Sequence, residues 1–286
     1  MQKELFFNEK MPNIIETKHF SDSKKSKTLL HGEAEFRNEF GELLFKKSNI
    51  ILVGGRRFTL EKLFNININP NQKITLNQIF HTNENEEVNP LVGPIQNKVV
   101  CLFGVGRGGS NLTFGSVINP NARENNLYSM VPMRYVNKAN DLSTAERFKY
   151  YLKVDDGDYY AYYLKAFEAT PTLVMKVGEQ EFIPDATDNI PLDDLGNIIE
   201  REDVDVYIEL QLKISANDIR EYFQSTEGID MARINELSLY FGYKPPHDPL
   251  VYTDYRGIET FSKLTFNNEG LDDLTKELGI IYRIYI

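Results

Sequence analysis

The stretch with the most chemical potential in this chain is Gly104-Val105-Gly106-Arg107-Gly108-Gly109. It matches G-x-G-x-x-G and follows the apolar run Val99-Val100-Cys101-Leu102-Phe103, the sequence form of a turn that cradles a dinucleotide pyrophosphate. Such a site also needs the N-terminus of a true helix behind the glycines, because the helix N–H groups and dipole hold the phosphate charge. Here the next stretch, Asn111 to Pro120, is interrupted by Gly115 and stopped by Pro120. The glycines are therefore read as a structural loop. Glu124 stands at about the spacing of a ribose-binding acid, but one carboxylate in an acidic chain carries little weight.

The other reactive residues form no constellation. Cys101, the single cysteine, sits in the apolar run and reads as a small buried hydrophobe rather than a nucleophile. His19, His31, His81 and His247 are too far apart for a helical zinc pair. Asp155, Asp156 and Asp158 surround Gly157, but tyrosines follow at once where a calcium loop needs further ligands, so a hairpin turn is the better reading. The six tyrosines flanking that turn, between Tyr150 and Tyr163, suit a carbohydrate platform or, without any tryptophan, packing and protein contact. There is no G-x-S-x-G and no Walker lysine after the glycines. No catalytic, cofactor-binding or metal-binding residue is assigned, and neither cofactor nor small-molecule substrate is expected.

The elements that would carry these residues are mostly strands. Val204, Val206, Ile208, Leu210, Leu212 and Ile214 share one parity, which makes a strand with that face buried. Ser215, followed three residues on by Asp218, reads as the cap of a short helix ending near Gln224, with Gly228 as its stop. Ile234 to Phe241 returns as a strand, so that strand, helix and strand supply the centre of an antiparallel or mixed sheet. Ala34 to Phe45 reads as a short helix or a hairpin, and Asn49 to Val53 as a strand broken by Gly54-Gly55. Arg57 to Phe64 is a short helix laid over that strand's end through Phe58, Leu60, Leu63 and Phe64. Met130 to Tyr135 is extended, at a sheet edge or interface, and Ser143 with Glu146 caps a short helix to Phe148. Tyr150 to Val154 and Tyr159 to Phe167 form a hairpin, and Thr172 to Val177 and Phe261 to Phe266 are strands. A helical turn over Leu271 to Leu278 precedes a terminal strand over Ile280 to Ile286, which must be paired because an open edge of that composition would aggregate.

The expected fold class is α+β and β-rich, with antiparallel or mixed sheets, a few short helices and long loops. Residues 1–30 read as an extended N-terminal arm, 31–94 as an N-terminal α/β segment and 95–286 as the β-rich main domain, or the last two as one domain. Residues 183–203 form an acidic loop, and 243–256 a proline-rich contact loop. The chain has 286 residues, 32 of them basic and 42 acidic, so a general phosphate-binding surface is disfavoured and nucleic acid is not an expected partner. No signal-peptide core and no apolar window of spanning length is present, which points to a protein made soluble in a reducing cytoplasm.

Three segments together resemble structural proteins of tailed-bacteriophage virions, in particular tail, collar and baseplate components. They are Asn49 to Phe64; Phe103 to Gly109, which looks like an F-G-x-G-x-G-G loop after a strand; and Ile234 to Tyr240 with the later Phe261 to Phe266 and Tyr282-Arg283-Ile284-Tyr285. The resemblance implies a non-enzymatic subunit of the neck, tail or baseplate region that assembles with copies of itself and with other virion proteins, and therefore resides in the virion without membrane contact. Alternatives are a capsid decoration protein, a carbohydrate-binding module resting on the tyrosine hairpin, and a dinucleotide-binding enzyme resting on residues 104–109.

Overall fold

A computed structural model describes residues 30–66, 97–110, 116–124, 126–177, 180–183, 204–215, 217–244, 255–271 and 277–285. The acidic loop beyond Ile183, most of the proline-rich loop, the interior of the helical turn after Leu271, and the N-terminal arm before Leu30 lie outside these residues.

The N-terminal segment is a hairpin of β1 (His31–Arg37) and β2 (Leu43–Ile51) rather than a helix. Asn38 makes its turn, since its side-chain oxygen accepts the N–H groups of Phe40 and Glu42, and Gly41 takes a φ of 80°. Helix α1 (Val53–Phe64) follows. It starts earlier than its apolar spacing suggests, because Gly54 and Gly55 form its first turn instead of breaking the chain. A Cβ on Gly55 would stand 2.2 Å from the carbonyl oxygen of Phe261, so the glycines let the helix lie directly on a strand backbone.

The remaining strands are β3 (Lys98–Gly106), β4 (Met130–Val131), β5 (Arg134–Asn137), β6 (Tyr150–Asp156), β7 (Tyr159–Ala166), β8 (Thr172–Val177), β9 (Gln180–Phe182), β10 (Val204–Ile214), β11 (Arg233–Tyr243), β12 (Arg256–Gly270) and β13 (Leu278–Tyr285). They form one sheet in the order β5-β7-β3-β11-β12-β2-β1-β13-β10-β8-β9, with β4 beside β3 and β6 beside β7. Every strand pair among the described residues is antiparallel. The fold is α+β and β-rich. Strands β1 and β2 pair with β13 and β12, so the sheet joins chain from both sides of residue 95.

The sheet curls. Lys165 on β7 donates to the carbonyl of Lys213 on β10 at 2.9 Å, although these strands stand second and ninth along the path. The enclosed core contains Phe36, Phe103, Leu210, Leu212, Leu237, Leu239, Phe241, Leu264, Phe266, Ile280 and Tyr282. Strand β13 alternates as its sequence requires, with Leu278, Ile280, Tyr282 and Ile284 inward, and lies between β1 and β10. Strand β10 buries Leu210, Leu212 and Ile214, but nearer its start the parity changes. Tyr207 is buried and Ile208 only partly so, because the Tyr207 ring packs on Tyr285 at 5.0 Å. The strands Val204–Ile214 and Arg233–Tyr243, expected together at the centre of the sheet, do not neighbour each other; β11 is central and β10 lies toward the far end.

Two helix starts illustrate local chemistry. Helix α2 (Thr144–Arg147) carries the Ser143 and Glu146 capping box. Ser215 does not cap the next helix. Asp218 instead accepts the Ser215 N–H at 2.7 Å, Ile219 adopts a φ of 72°, and α3 (Arg220–Thr226) begins only after this turn. Among the described residues no helix is long and apolar enough to cross a membrane.

Candidate functional site

The glycine stretch is half strand. Gly104 and Gly106 belong to β3, where they face Ser238 and Glu236 of β11, and only Arg107 to Gly109 turn away. Each glycine makes room for a specific neighbour. A Cβ on Gly106 would lie 2.5 Å from the Ser129 carbonyl oxygen, and one on Gly109 would lie 2.3 Å from that of Asn235.

The amide groups of this turn already hold an anion. The Glu236 carboxylate accepts the N–H of Gly108, that of Tyr128 at 2.6 Å and that of Ser129 at 3.1 Å. Beside it, Asn235 accepts the Gly109 N–H at 2.7 Å and returns a bond to the Arg107 carbonyl at 3.1 Å. A pyrophosphate would need these same donors and would bring its charge against Glu236, so the geometry favours an internally satisfied turn.

Lys263, on β12, completes the cluster. Its ammonium lies 3.5 Å from Glu236, 2.9 Å from Glu124 and 3.1 Å from the Asn126 carbonyl, with the Tyr128 ring centroid at 3.0 Å. Glu124, the only carboxylate at ribose-acid spacing, is thus spent on Lys263 and on the Tyr128 hydroxyl. Burial pushes its carboxyl up, but the Tyr128 and Lys263 hydrogen bonds outweigh that and hold it below the ordinary range. The Tyr128 phenol is pushed up, by burial first and then by Glu124. No sequence signal announced Lys263.

The remaining candidates also have internal partners. Burial raises the Cys101 thiol to about 11, so almost no thiolate exists near neutral pH. Asp155 pairs with Lys138 at 2.5 Å, and Asp156 accepts from the Tyr135 hydroxyl at 3.0 Å, while Gly157 turns the hairpin with a φ of 60°. Among the described residues no three His, Cys, Asp or Glu side chains are grouped to hold a metal. Tyr150, Tyr151 and Tyr162 are buried, which takes half of the hairpin's tyrosines out of any stacking platform. His31 stacks on Tyr285, and the other three histidines lie outside the described residues.

The surface offers a different kind of site. Helix α1 turns Phe58 inward, stacked on Phe241 at 4.4 Å, and Glu61 with it. Leu60, Leu63 and Phe64, expected to cover the strand, instead face outward; Leu63 and Phe64 are 71% and 70% exposed. Val53 and Ile66 are exposed at the two ends of this helix, and the tip of the β1–β2 hairpin presents Phe40 at 80% exposure together with Leu43 and Leu44. Large apolar side chains grouped in the open, here Leu60, Leu63 and Phe64, give the outer face of α1 the composition of an interface.

A model of a family of unknown function (DUF7208) matches residues 51–248. The chain belongs to that family. The matched span of the DUF7208 family runs from the last residue of β2 through β11, so it includes α1, the glycine turn and Glu236, and it ends before Lys263. No curated protein and no solved structure matches the chain.

Proposed function

We propose that this chain is a non-enzymatic structural subunit of a tailed-bacteriophage virion, placed in the neck, tail or baseplate region and working through protein–protein contacts with copies of itself and other virion proteins. The observation that carries this reading is the outward apolar face of α1, with Leu60, Leu63 and Phe64 in the open. Side chains of that size exposed together favour a protein partner. Two further features support it. The glycine turn closes on its own Glu236 instead of leaving donors for a ligand, and the buried lysines Lys98 and Lys263 are each ion-paired inside the fold. Buried charge held in this way serves a rigid building block.

The test is quantitative mass spectrometry of gradient-purified virions from the phage that encodes the chain. Presence at low, ring-like copy number relative to the major capsid and tail-tube proteins supports the neck, tail or baseplate assignment. Shell-like copy number moves the protein to capsid decoration, and absence removes the virion reading. A thermal shift with NAD(P) would instead favour the dinucleotide reading, since a ligand that binds the native state raises its stability.

A further inference from the structure

Lys165 and Asp218 meet where the two ends of the curled sheet come together. Lys165 belongs to β7, and Asp218 stands four residues beyond the end of β10. Both side chains are wholly excluded from solvent, and Lys165 Nζ lies 2.8 Å from Asp218 Oδ2. The surroundings hold each reacting atom in place. Nζ donates to the Lys213 carbonyl at 2.9 Å and contacts the Ser215 hydroxyl at 3.2 Å, with a Glu168 carboxylate oxygen at 3.0 Å. Asp218 Oδ1 accepts the Tyr150 hydroxyl at 2.6 Å, and Oδ2 accepts the Ser215 N–H at 2.7 Å.

We propose that Lys165 and Asp218 condense spontaneously into an intramolecular isopeptide bond. One proton crosses the 2.8 Å contact from Nζ to Oδ2 and leaves an uncharged amine facing a carboxylic acid. The amine lone pair then attacks Cγ. Negative charge develops on Oδ1, where the Tyr150 hydroxyl already donates, so the tetrahedral intermediate meets a preorganised donor. Glu168, whose carboxylate oxygen lies 3.0 Å from Nζ, accepts a second Nζ proton, and that proton leaves with the departing oxygen as water.

The step balances without an oxidant or a co-reactant. The C–N bond forms and the Cγ–Oδ2 bond breaks. Of the three ammonium protons two leave on Oδ2 as water, and the third stays on the amide nitrogen. Fixing the partners in contact corresponds to effective molarities on the order of 10⁵ to 10⁸ M, which drives a condensation that is unfavourable between free amine and acid in water. The product would staple β7 to the turn after β10, tying strands two and nine of the path together in a chain whose single cysteine cannot form an internal disulfide. This bond does not depend on the virion assignment.

Intact-mass spectrometry of the denatured full chain, after incubation at neutral pH, tests it. The expected mass is lower than the sequence mass by one water, and proteolysis yields a branched peptide joining the segments that hold Lys165 and Asp218. Asp218→Asn should give the same branched connection with ammonia lost in place of water, and Lys165→Arg should abolish it. The full sequence mass with linear peptides containing unmodified Lys165 and Asp218 would overturn the proposal. So would a water loss that maps to a succinimide at Asp156-Gly157 instead.

Discussion

Glu236 and Lys263 meet diagonally across neighbouring strands β11 and β12, 3.5 Å apart, with both side chains fully removed from solvent. Glu236 is also the acceptor for three backbone amides, so it binds the glycine turn and the segment at Tyr128 and Ser129 to the centre of the sheet. Replacing it by leucine leaves those amides unanswered and Lys263 dependent on Glu124. The expected cost is about 3–5 kcal/mol, read as a drop in the urea midpoint at constant slope. A loss below about 1 kcal/mol would show that the amides find other acceptors.

Gly55→Ala sets two effects against each other. Alanine improves helix propensity by up to about 1 kcal/mol, but its Cβ would stand 2.2 Å from the backbone oxygen of Phe261. A backbone oxygen cannot rotate aside, so α1 must shift. Net destabilisation of roughly 1–3 kcal/mol is expected in chemical denaturation. Unchanged or increased stability would mean that the helix can lift off β12 freely.

The Glu35 carboxyl gives a pH signature. Burial alone would raise it, but hydrogen bonds from Lys46, Arg37 and Arg283 outweigh burial and hold it at about 2, against an ordinary value of 4.5. A depressed folded-state value means the stabilisation is complete above the unfolded value and fades as pH falls from about 4.5 toward 2. Its size is about 3 kcal/mol. Thermal denaturation across this window should show a steeper acid decline in the wild type than in Glu35→Gln, and parallel curves would contradict the assignment.

Leu63→Glu combined with Phe64→Lys addresses the outer face of α1. Both positions are mostly exposed, so stability should change by no more than about 0.5 kcal/mol. Incorporation into particles, or self-association followed by sedimentation, should fall sharply. Normal incorporation of the folded double mutant would remove α1 as the contact surface.

Cys101 should react slowly. With its thiol raised to about 11 from 9.0, the thiolate fraction at mildly alkaline pH is about a hundredfold lower than for an open cysteine. Thiol-reagent kinetics on native and urea-unfolded protein would measure this directly, and equal rates would place the thiol in solvent.

Strand periodicity made much of the fold readable. The alternation of β13, the tyrosine hairpin of β6 and β7 and the capping box of α2 all rest on neighbours in the chain, and those patterns were carried into the structure. Readings failed where the deciding partner is distant. Gly54 and Gly55 look like a break until Phe261 lies beneath them, and Ser215 looks like a helix cap until Asp218 bends back to its amide. The Tyr207 parity change depends on Tyr285, which is far along the chain but directly opposite in the sheet. The glycine stretch reads as a loop, yet Gly104 and Gly106 lie in β3, and the carboxylate that meets its turn was not legible because Glu236 lies 128 residues from Gly108. The apolar spacing of α1 fixed a helix, yet it gave no means of separating the residues that touch β12 from those left outside.

Strand β13 also sets a timetable for synthesis. It alone bridges β1 and β10 in the strand path, pairing His31 with Tyr285 on one side and Tyr207 with Tyr285 on the other. Until residues 278–285 emerge, β1 and β10 are bare edges of two unjoined pieces of sheet. The nascent chain must therefore hold the β1 side of the β1–β2 hairpin open until residues 278–285 have been made. Sheet closure is a late, long-range event with the slow kinetics of high contact order, and the interval before it is when the chain is most exposed to aggregation and most in need of a chaperone.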